Sequence, residues 1–355
     1  MIIDLLITLA KVLFVLAITV GFFAPVLTWV ERKQSAIMQD RIGANRADIL
    51  GFRALGLFHI VADALKMFVK EDFIPAGANK FLHTLSPMIA LIPAIITFTV
   101  IPFGGTYDLF GKQVNLVIAN LDVGLLFIFA IASIATYGYV IAGWSSNNNY
   151  SLLGSMRTTA QMISYEVTMG LTIIGVLMVF GTMKLTDIGA AQEEFLHWGF
   201  FYQPLGFFMF LTASIAENKR IPFDNPEAES ELVAGYFTEY SGLKFGMFFM
   251  SEFIEMVTIS AIVTILFFGA WHVPFFTTAE LLSFFEILGT TGANLVVMVF
   301  HVGVFFTKVV IILWLQMTIR WTLPRFRYDQ IMKLGWKILL PLSLINIMVT
   351  GLVLL

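Results

Sequence analysis

Residues 256–279 read "MVTISAIVTILFFGAWHVPFFTTA", 24 consecutive positions without an Asp, Glu, Lys or Arg. About 20 apolar residues in a helix cross the hydrocarbon core of a bilayer, so the fold class turns on whether such runs recur. They do, at 12–30, 81–107, 123–156, 167–183, 195–216, 287–307 and 338–355. The chain is 58% hydrophobic and only 13% charged, about half the charge of a soluble domain. The alternating ten-residue pattern of a membrane barrel is absent.

These runs predict an all-α polytopic membrane protein forming one integral-membrane domain over 1–355. About eight transmembrane helices are expected, near 5–29, 85–103, 122–144, 160–181, 199–216, 244–270, 293–318 and 336–355. The first is too long, and with Asp4 too acidic at its start, for a cleaved signal peptide. Basic residues set the orientation. Segments 31–84, 145–159, 217–244 and 319–337 hold 17 Lys and Arg, whereas the opposite side holds only Lys112 and Lys184. The first group is therefore expected in the cytoplasm and both termini outside. No cysteine is present, so disulfides, thiolate-ligated Fe–S clusters and c-type haem are excluded from this chain.

Segments 31–84 and 217–242 are the main cytoplasmic-side pieces. In the first, Leu55, Phe58, Ala62, Leu65 and Val69 recur at helical spacing beside Arg53, Asp63, Lys66 and Lys70, the pattern of an interfacial amphipathic helix. "FFTTAELLSFFEILG" (275–289) reads similarly, with Thr278 as the candidate N-cap. The second piece, "AENKRIPFDNPEAESELVAGYFTEYSG" (216–242), carries Glu217, Asp224, Glu227, Glu229, Glu231 and Glu239, six of the chain's 24 carboxylates. Pro222 and Pro226 break any helix at its start. Asn225 as N-cap and Pro226 at the first helical position then predict a helix from Glu227 to about Tyr240. Glu227 and Glu231 would repel each other at i,i+4 unless cations or protons intervene.

Nucleotide-binding glycine motifs are missing, and the five histidines form no H-x-x-x-H pair that would suggest intramembrane haem. The useful signal is charge inside apolar helices, which costs roughly 2.5–3.5 kcal/mol per group at the membrane centre. Glu166 lies in "AQMISYEVTMG" beside a polar stripe of Arg157, Gln161 and Tyr165. It reads either as an interfacial carboxylate snorkelling to water or as a proton relay. Glu252 and Glu255 share the sixth helix. Lys308 lies seven residues after His301 and calls for a carboxylate partner, whereas Lys11 can snorkel outward. Glu31, Arg32, Arg320, Arg325 and Arg327 add cations and acids at the cytoplasmic interface, where anchoring is the plain reading and an amphiphile's polar head the functional one.

Five stretches, "ERKQSAIMQDRIG", "VADALKMFVKE", "MRTTAQMISYE", "AENKRIPFDNPEAESELVAGYFTEYSG" and "LPRFRYDQIMKLGWK", carry a resemblance. Together they resemble the H-type membrane subunits of proton-translocating NADH:quinone oxidoreductase, respiratory complex I, the equivalents of the mitochondrially encoded subunit 1. The resemblance implies a multi-pass subunit of the bacterial inner membrane that forms the quinone entrance and much of the quinone chamber. Quinone would be the substrate, with FMN and Fe–S clusters in partner subunits. Its partners would be the hydrophilic quinone-module subunits, the small and antiporter-like membrane subunits and the lipid bilayer, with no nucleic acid.

Carried over by motif, Glu31, Asp63, Glu166, Glu217, Asp224, Glu227, Glu229, Glu231 and Glu239 are the proton-coupling carboxylates, joined by Glu252. Arg32, Arg41, Phe223, Arg320 and Arg325 are the chamber residues. Two departures stand out: Gly43-Ala44-Asn45 replaces Gly-Pro-Asn, and His59 stands where Gln is frequent. A membrane-bound hydrogenase subunit, a cation/proton antiporter and a purely structural anchor are the competing readings.

Overall fold

The computed structural model describes residues 2–109, 111–225 and 229–355, with the side chains of Ile2, Glu229, Ser230 and Leu288 outside that description. Its helices follow the charge-free runs but overshoot them. We label them α1 (Ile3–Met38), α2 (Phe58–Val69), α3 (Lys80–Val100), α4 (Gly124–Ser145), α5 (Asn149–Phe180), α6 (Pro204–Glu217), α7 (Gly242–Phe267), α8 (Thr278–Phe284), α9 (Gly289–Thr322) and α10 (Tyr328–Leu354). Seven of them, α1, α3, α4, α5, α7, α9 and α10, are long and apolar enough to cross a membrane. The chain is a multi-pass, mostly helical membrane protein.

The expected span at 199–216 is shorter than the sequence suggests. Its helix stops after Gly199–Tyr202, and α6 restarts at Pro204, which lacks the N–H that would continue the ladder. Its 14 residues extend only about 21 Å, less than the hydrocarbon thickness. Other spans run long because polar residues continue the helix past the bilayer boundary. In α5 this adds the turns carrying Arg157, and the helix ends at Gly181, whose φ of 69° suits a left-handed cap.

The most enclosed element is α7, which packs against α1, α2, α3 and α9. Helices α3 and α4 approach closely at Gly138, where a Cβ would lie 2.8 Å from the Ala90 nitrogen. The apolar pattern gives no sign of the antiparallel hairpin of β1 (Thr106–Leu109) and β2 (Lys112–Asn115). Asp4 pairs with Lys112, and Lys11 Nζ donates to the Val117 carbonyl at 3.2 Å. The start of α1 therefore lies at the hairpin end of the bundle.

The amphipathic α2 forms as predicted, but Leu55 precedes it at a φ of 57°. The cap of α8 is Thr277, one residue before the expected Thr278. Its side chain accepts from the Glu280 N–H while Glu280 accepts from the Thr277 N–H, a reciprocal capping box.

Candidate functional site

The acidic segment is not one helix. Among its described residues, Glu229–Leu232 is helical and Gly235–Phe237 forms a tight turn, separated by Val233 at a φ of 65°. Backbone in the left-handed region ends a right-handed helix. Asn225 Nδ2 donates to the Phe326 carbonyl at 2.8 Å, and the backbone that its expected cap would serve lies outside the described residues. Glu227 lies outside the described residues, as does the side chain of Glu229.

What holds the segment is the polar stripe of α5. Gln161 Nε2 donates to the carbonyls of Ala216 (2.7 Å) and Phe223 (2.8 Å), pinning both sides of the turn. Arg157 reaches Glu231 at 2.5 Å, and the Tyr165 hydroxyl donates to the Ile331 carbonyl. Phe223 packs between Tyr165 and Phe326, with ring centroids at 5.8 and 5.6 Å. Glu239 accepts from Asn148 at 2.7 Å, so the segment's far end is fixed at the start of α5.

The centre of the site is a chain of buried charges drawn from distant elements. Glu31 on α1 is 9% exposed and binds Arg320 at 2.8 Å and Arg220 at 3.3 Å. Arg220 continues to Glu252 on α7 at 3.5 Å. Glu252, 3% exposed, also accepts from the Tyr236 hydroxyl at 2.9 Å and lies 3.9 Å from Lys219. The Lys219 ammonium sits 3.4 Å from the centroid of the Tyr139 ring. Buried ions of one sign are costly alone, and alternating acids and bases offset that cost.

Sequence reasoning misses Lys219 and Arg220, because two cations beside a polar loop look like membrane anchors. Their one legible signal is position: they follow α6 directly, inside the acidic run.

Two satellite pairs flank the chain: Arg32–Asp63 at 2.7 Å ties α1 to α2, and Arg325–Asp224 at 2.8 Å ties the turn to the segment before α10. Burial pushes the Asp224 carboxyl above the usual range, although the Arg325 guanidinium draws it back. Arg41 donates to Gln39 and Ser35. It lines an open cavity of about 360 Å³ with Glu31, Arg32, Ser35, His59 and Trp321. His59 Nε2 accepts from the Ala47 N–H at 3.2 Å, which assigns its proton to the other nitrogen. Of the expected chamber residues, Phe223, Arg320 and Arg325 are not in that lining.

A second, narrower cavity of about 50 Å³ lies among α3, α4, α5, α6 and α7, with Thr97, Glu217, Asn218, Glu255 and Thr258 as its polar lining. Both amide atoms of Asn218 and the Thr258 hydroxyl are buried without partners, the signature of a place for water. Glu166 is outside the cavity lining. It accepts from the Ser133 hydroxyl and lies within electrostatic reach of Glu217. The structure thus gathers Glu31, Glu252, Arg320 and their cations in one network. Glu217 and Glu166 form a second group, and Glu231 and Glu239 remain peripheral.

Lys308 does not take the expected carboxylate. Its Nζ donates to the carbonyls of His272 (2.6 Å), Phe268 (2.7 Å) and Ala270 (3.1 Å), all in the turn that follows α7, and lies over the Trp198 ring. The partial negative charge at the C-terminal end of a helix favours a cation there.

A bundle that spans the membrane while enclosing linked acids and bases defines a class: a multi-pass protein that manages charge within an apolar body. The family model described as NADH dehydrogenase matches residues 10–351. An H-type NADH-quinone oxidoreductase subunit of Geobacter metallireducens is 46% identical over 353 residues, covering 98% of this chain and 96% of its own. The like-named protein of Rhizobium meliloti is 44% identical with 99% of each chain covered. That of Cytophaga hutchinsonii is 46% identical over 91% of this chain and 90% of its own. The chain belongs to the NADH dehydrogenase family.

Proposed function

We propose that this chain is the membrane subunit of a bacterial NADH:quinone oxidoreductase that forms the quinone entrance and part of the chamber, and links quinone reduction to proton translocation. One observation carries the reading: Glu31 belongs both to the open, arginine-lined cavity and to the buried chain that ends on α7 at Glu252. Three residues beyond Glu252 on the same helix, Glu255 lines the narrow cavity with Glu217. A charge change at the open cavity therefore has a continuous electrostatic route to carboxylates inside the bundle.

Reduction of a quinone to a quinol consumes two electrons and two protons. The electrons would come from partner subunits, in keeping with a chain that has no cysteine for a thiolate-ligated cluster. Transient negative charge on the head group is attracted by Arg32, Arg41 and Arg320 and repels Glu31. At an effective dielectric near 20, two charges 4 Å apart interact by about 4 kcal/mol, roughly three pKa units. That is enough to make a neighbouring carboxylate take up a proton. The linked acids should titrate as a set rather than singly. Under this reading the lysine- and arginine-rich side is cytoplasmic, the termini face the periplasm, and the membrane is the inner one.

The test is Glu252→Gln in the assembled complex, assayed in inverted membrane vesicles. Electron transfer from NADH to an artificial hydrophilic acceptor should persist, while quinone-linked proton translocation falls. Full translocation in both Glu252→Gln and Glu31→Gln variants would remove the proposal. Ion flux by the purified chain without quinone would favour an antiporter instead.

A further inference from the structure

At the end of α7 away from the acidic segment, a second polar cluster is enclosed by apolar side chains. Gly242 to Phe267 spans 26 residues, about 39 Å of helix, so the two ends lie a membrane thickness apart. The cluster contains Tyr107 from β1, His301 from α9, His272 after α7, Lys308 from α9 and Glu193. The mechanism proposed above uses none of them.

Its hydrogen bonds assign its protons. Tyr107 Oη accepts the Gly105 N–H at 3.2 Å and faces His301 Nδ1 at 2.6 Å. Burial holds the Tyr107 phenol well above its usual range, so the hydroxyl keeps its proton and donates to Nδ1. The neutral His301 then carries its proton on Nε2. That nitrogen is buried and has no partner, in a residue only 1% exposed.

His272 is 5% exposed, and neither of its nitrogens has a hydrogen-bond partner. The Gly189 carbonyl lies beside this ring but outside hydrogen-bonding geometry. The two rings stand 6.0 Å apart at 65°, with no direct N–H···N bond between them. Their orphaned nitrogens, a donor on His301 and an acceptor on His272, are groups that a single water can serve, donated to by His301 and donating to His272. A buried polar group left unsatisfied is costly, and a bridging water satisfies one nitrogen of each ring.

Burial opposes an imidazolium at His272, and Lys308, whose ammonium is bonded to carbonyls of the turn after α7, opposes it further. Glu193, partly exposed, favours an imidazolium and is itself held by the Thr278 N–H at 2.8 Å. The order is then a closed interior at Tyr107, two imidazoles, and a carboxylate at the surface.

We propose that His301 and His272 bind one ordered water between them, and that this hydrated pair takes up a proton only in passing and gives it up toward Glu193, as a release station at the bundle end opposite the acidic segment. The proton adds to the acceptor nitrogen of His272, forming one N–H bond. The same bond breaks when the proton passes by way of Glu193 to bulk water, leaving the pair neutral. The water site stands on geometry alone; its use as a release station rests on the translocation role proposed above.

The experiment has two readouts. In a high-resolution density map of the intact complex, a water peak is expected within hydrogen-bond distance of both His301 Nε2 and a His272 nitrogen. Absence of that peak, or rings in direct contact, overturns the site. In inverted vesicles, His272→Phe should retain electron transfer to quinone and lose proton translocation per electron. If that variant fails to assemble, His272→Gln, which can hold the water but not the proton, gives the same readout. Normal translocation in an assembled variant overturns the release role while leaving the translocation function standing. Loss of translocation from Glu252→Gln but not from either His272 variant separates the two proposals.

Discussion

Glu31 Oε1, near the end of the first helix, accepts from Arg320 Nη2, near the end of the ninth, at 2.8 Å, and both side chains are largely withdrawn from water. Glu31 lines the open cavity, and its pair with Arg320 begins the buried charge chain. Arg320 is therefore positioned by α9 and α1 together, not by the loop after it.

Removing one partner of a buried ion pair leaves the other uncompensated and typically costs 3–5 kcal/mol. Arg320→Met is accordingly expected to lower stability by about 3 kcal/mol, with a smaller loss for the double variant Arg320→Met/Glu31→Gln. Thermal denaturation of the detergent-solubilised complex measures both. A double variant no more stable than Arg320→Met would show that the pair is not coupled.

Lys219 makes a different demand. It is 1% exposed, has a φ of 55°, and places its ammonium over Tyr139 and near Glu252. A desolvated cation–π contact contributes about 2 kcal/mol. Lys219→Met should lower stability by about that amount and reduce quinone reductase activity, and Tyr139→Leu should reproduce most of the effect. Additive losses in the double variant would argue against the contact.

Gly154 is where α5 meets the Gly235–Phe237 turn of the acidic segment. A Cβ there would lie 2.6 Å from the Gly235 Cα and 2.9 Å from the Tyr236 nitrogen, both backbone neighbours that cannot swing away. Gly154→Ala is expected to cost about 1–3 kcal/mol by overpacking and to displace Tyr236 from Glu252. Proteolysis of the segment should accelerate in this variant, while Gly170→Ala, with open space around its Cβ, should behave as the parent.

The acid limb of the stability profile should report His272. Burial, with repulsion from Lys308 and partial offset by Glu193, pushes its pKa down to about 4 from the usual 6.5. A base with a depressed native pKa binds fewer protons when folded, so its stability contribution is complete above about pH 6.5 and lost as pH falls toward 4. Integrated over that window, the loss amounts to about 3 kcal/mol. Melting temperatures of His272→Gln measured from pH 7 to 4 should fall less steeply than those of the parent. Parallel curves would contradict the buried neutral imidazole.

Much of the architecture is legible without coordinates. Long charge-free runs have only one economical outcome in a bilayer, because every backbone N–H and C=O must be paired within the segment. The amphipathic α2 is equally readable from its spacing. The acidic segment reads as a helix because proline and asparagine signals ignore the left-handed backbone at Val233, which serves contacts with α5 and α7. Lys308 calls for a carboxylate partner because a sequence does not show that a neighbouring helix ends beside it.

The sequence by itself determined where apolar helices run and which carboxylates fall near their ends, since transfer into hydrocarbon depends on local composition. Only the tertiary structure decided which charges meet. Glu31, Arg220, Glu252 and Arg320 are joined by the packing of α1, α7 and α9, and His272 meets His301 for the same reason. Pairing of buried charges depends on distances of a few ångströms between segments far apart in the chain, and no periodicity within one segment encodes such a distance.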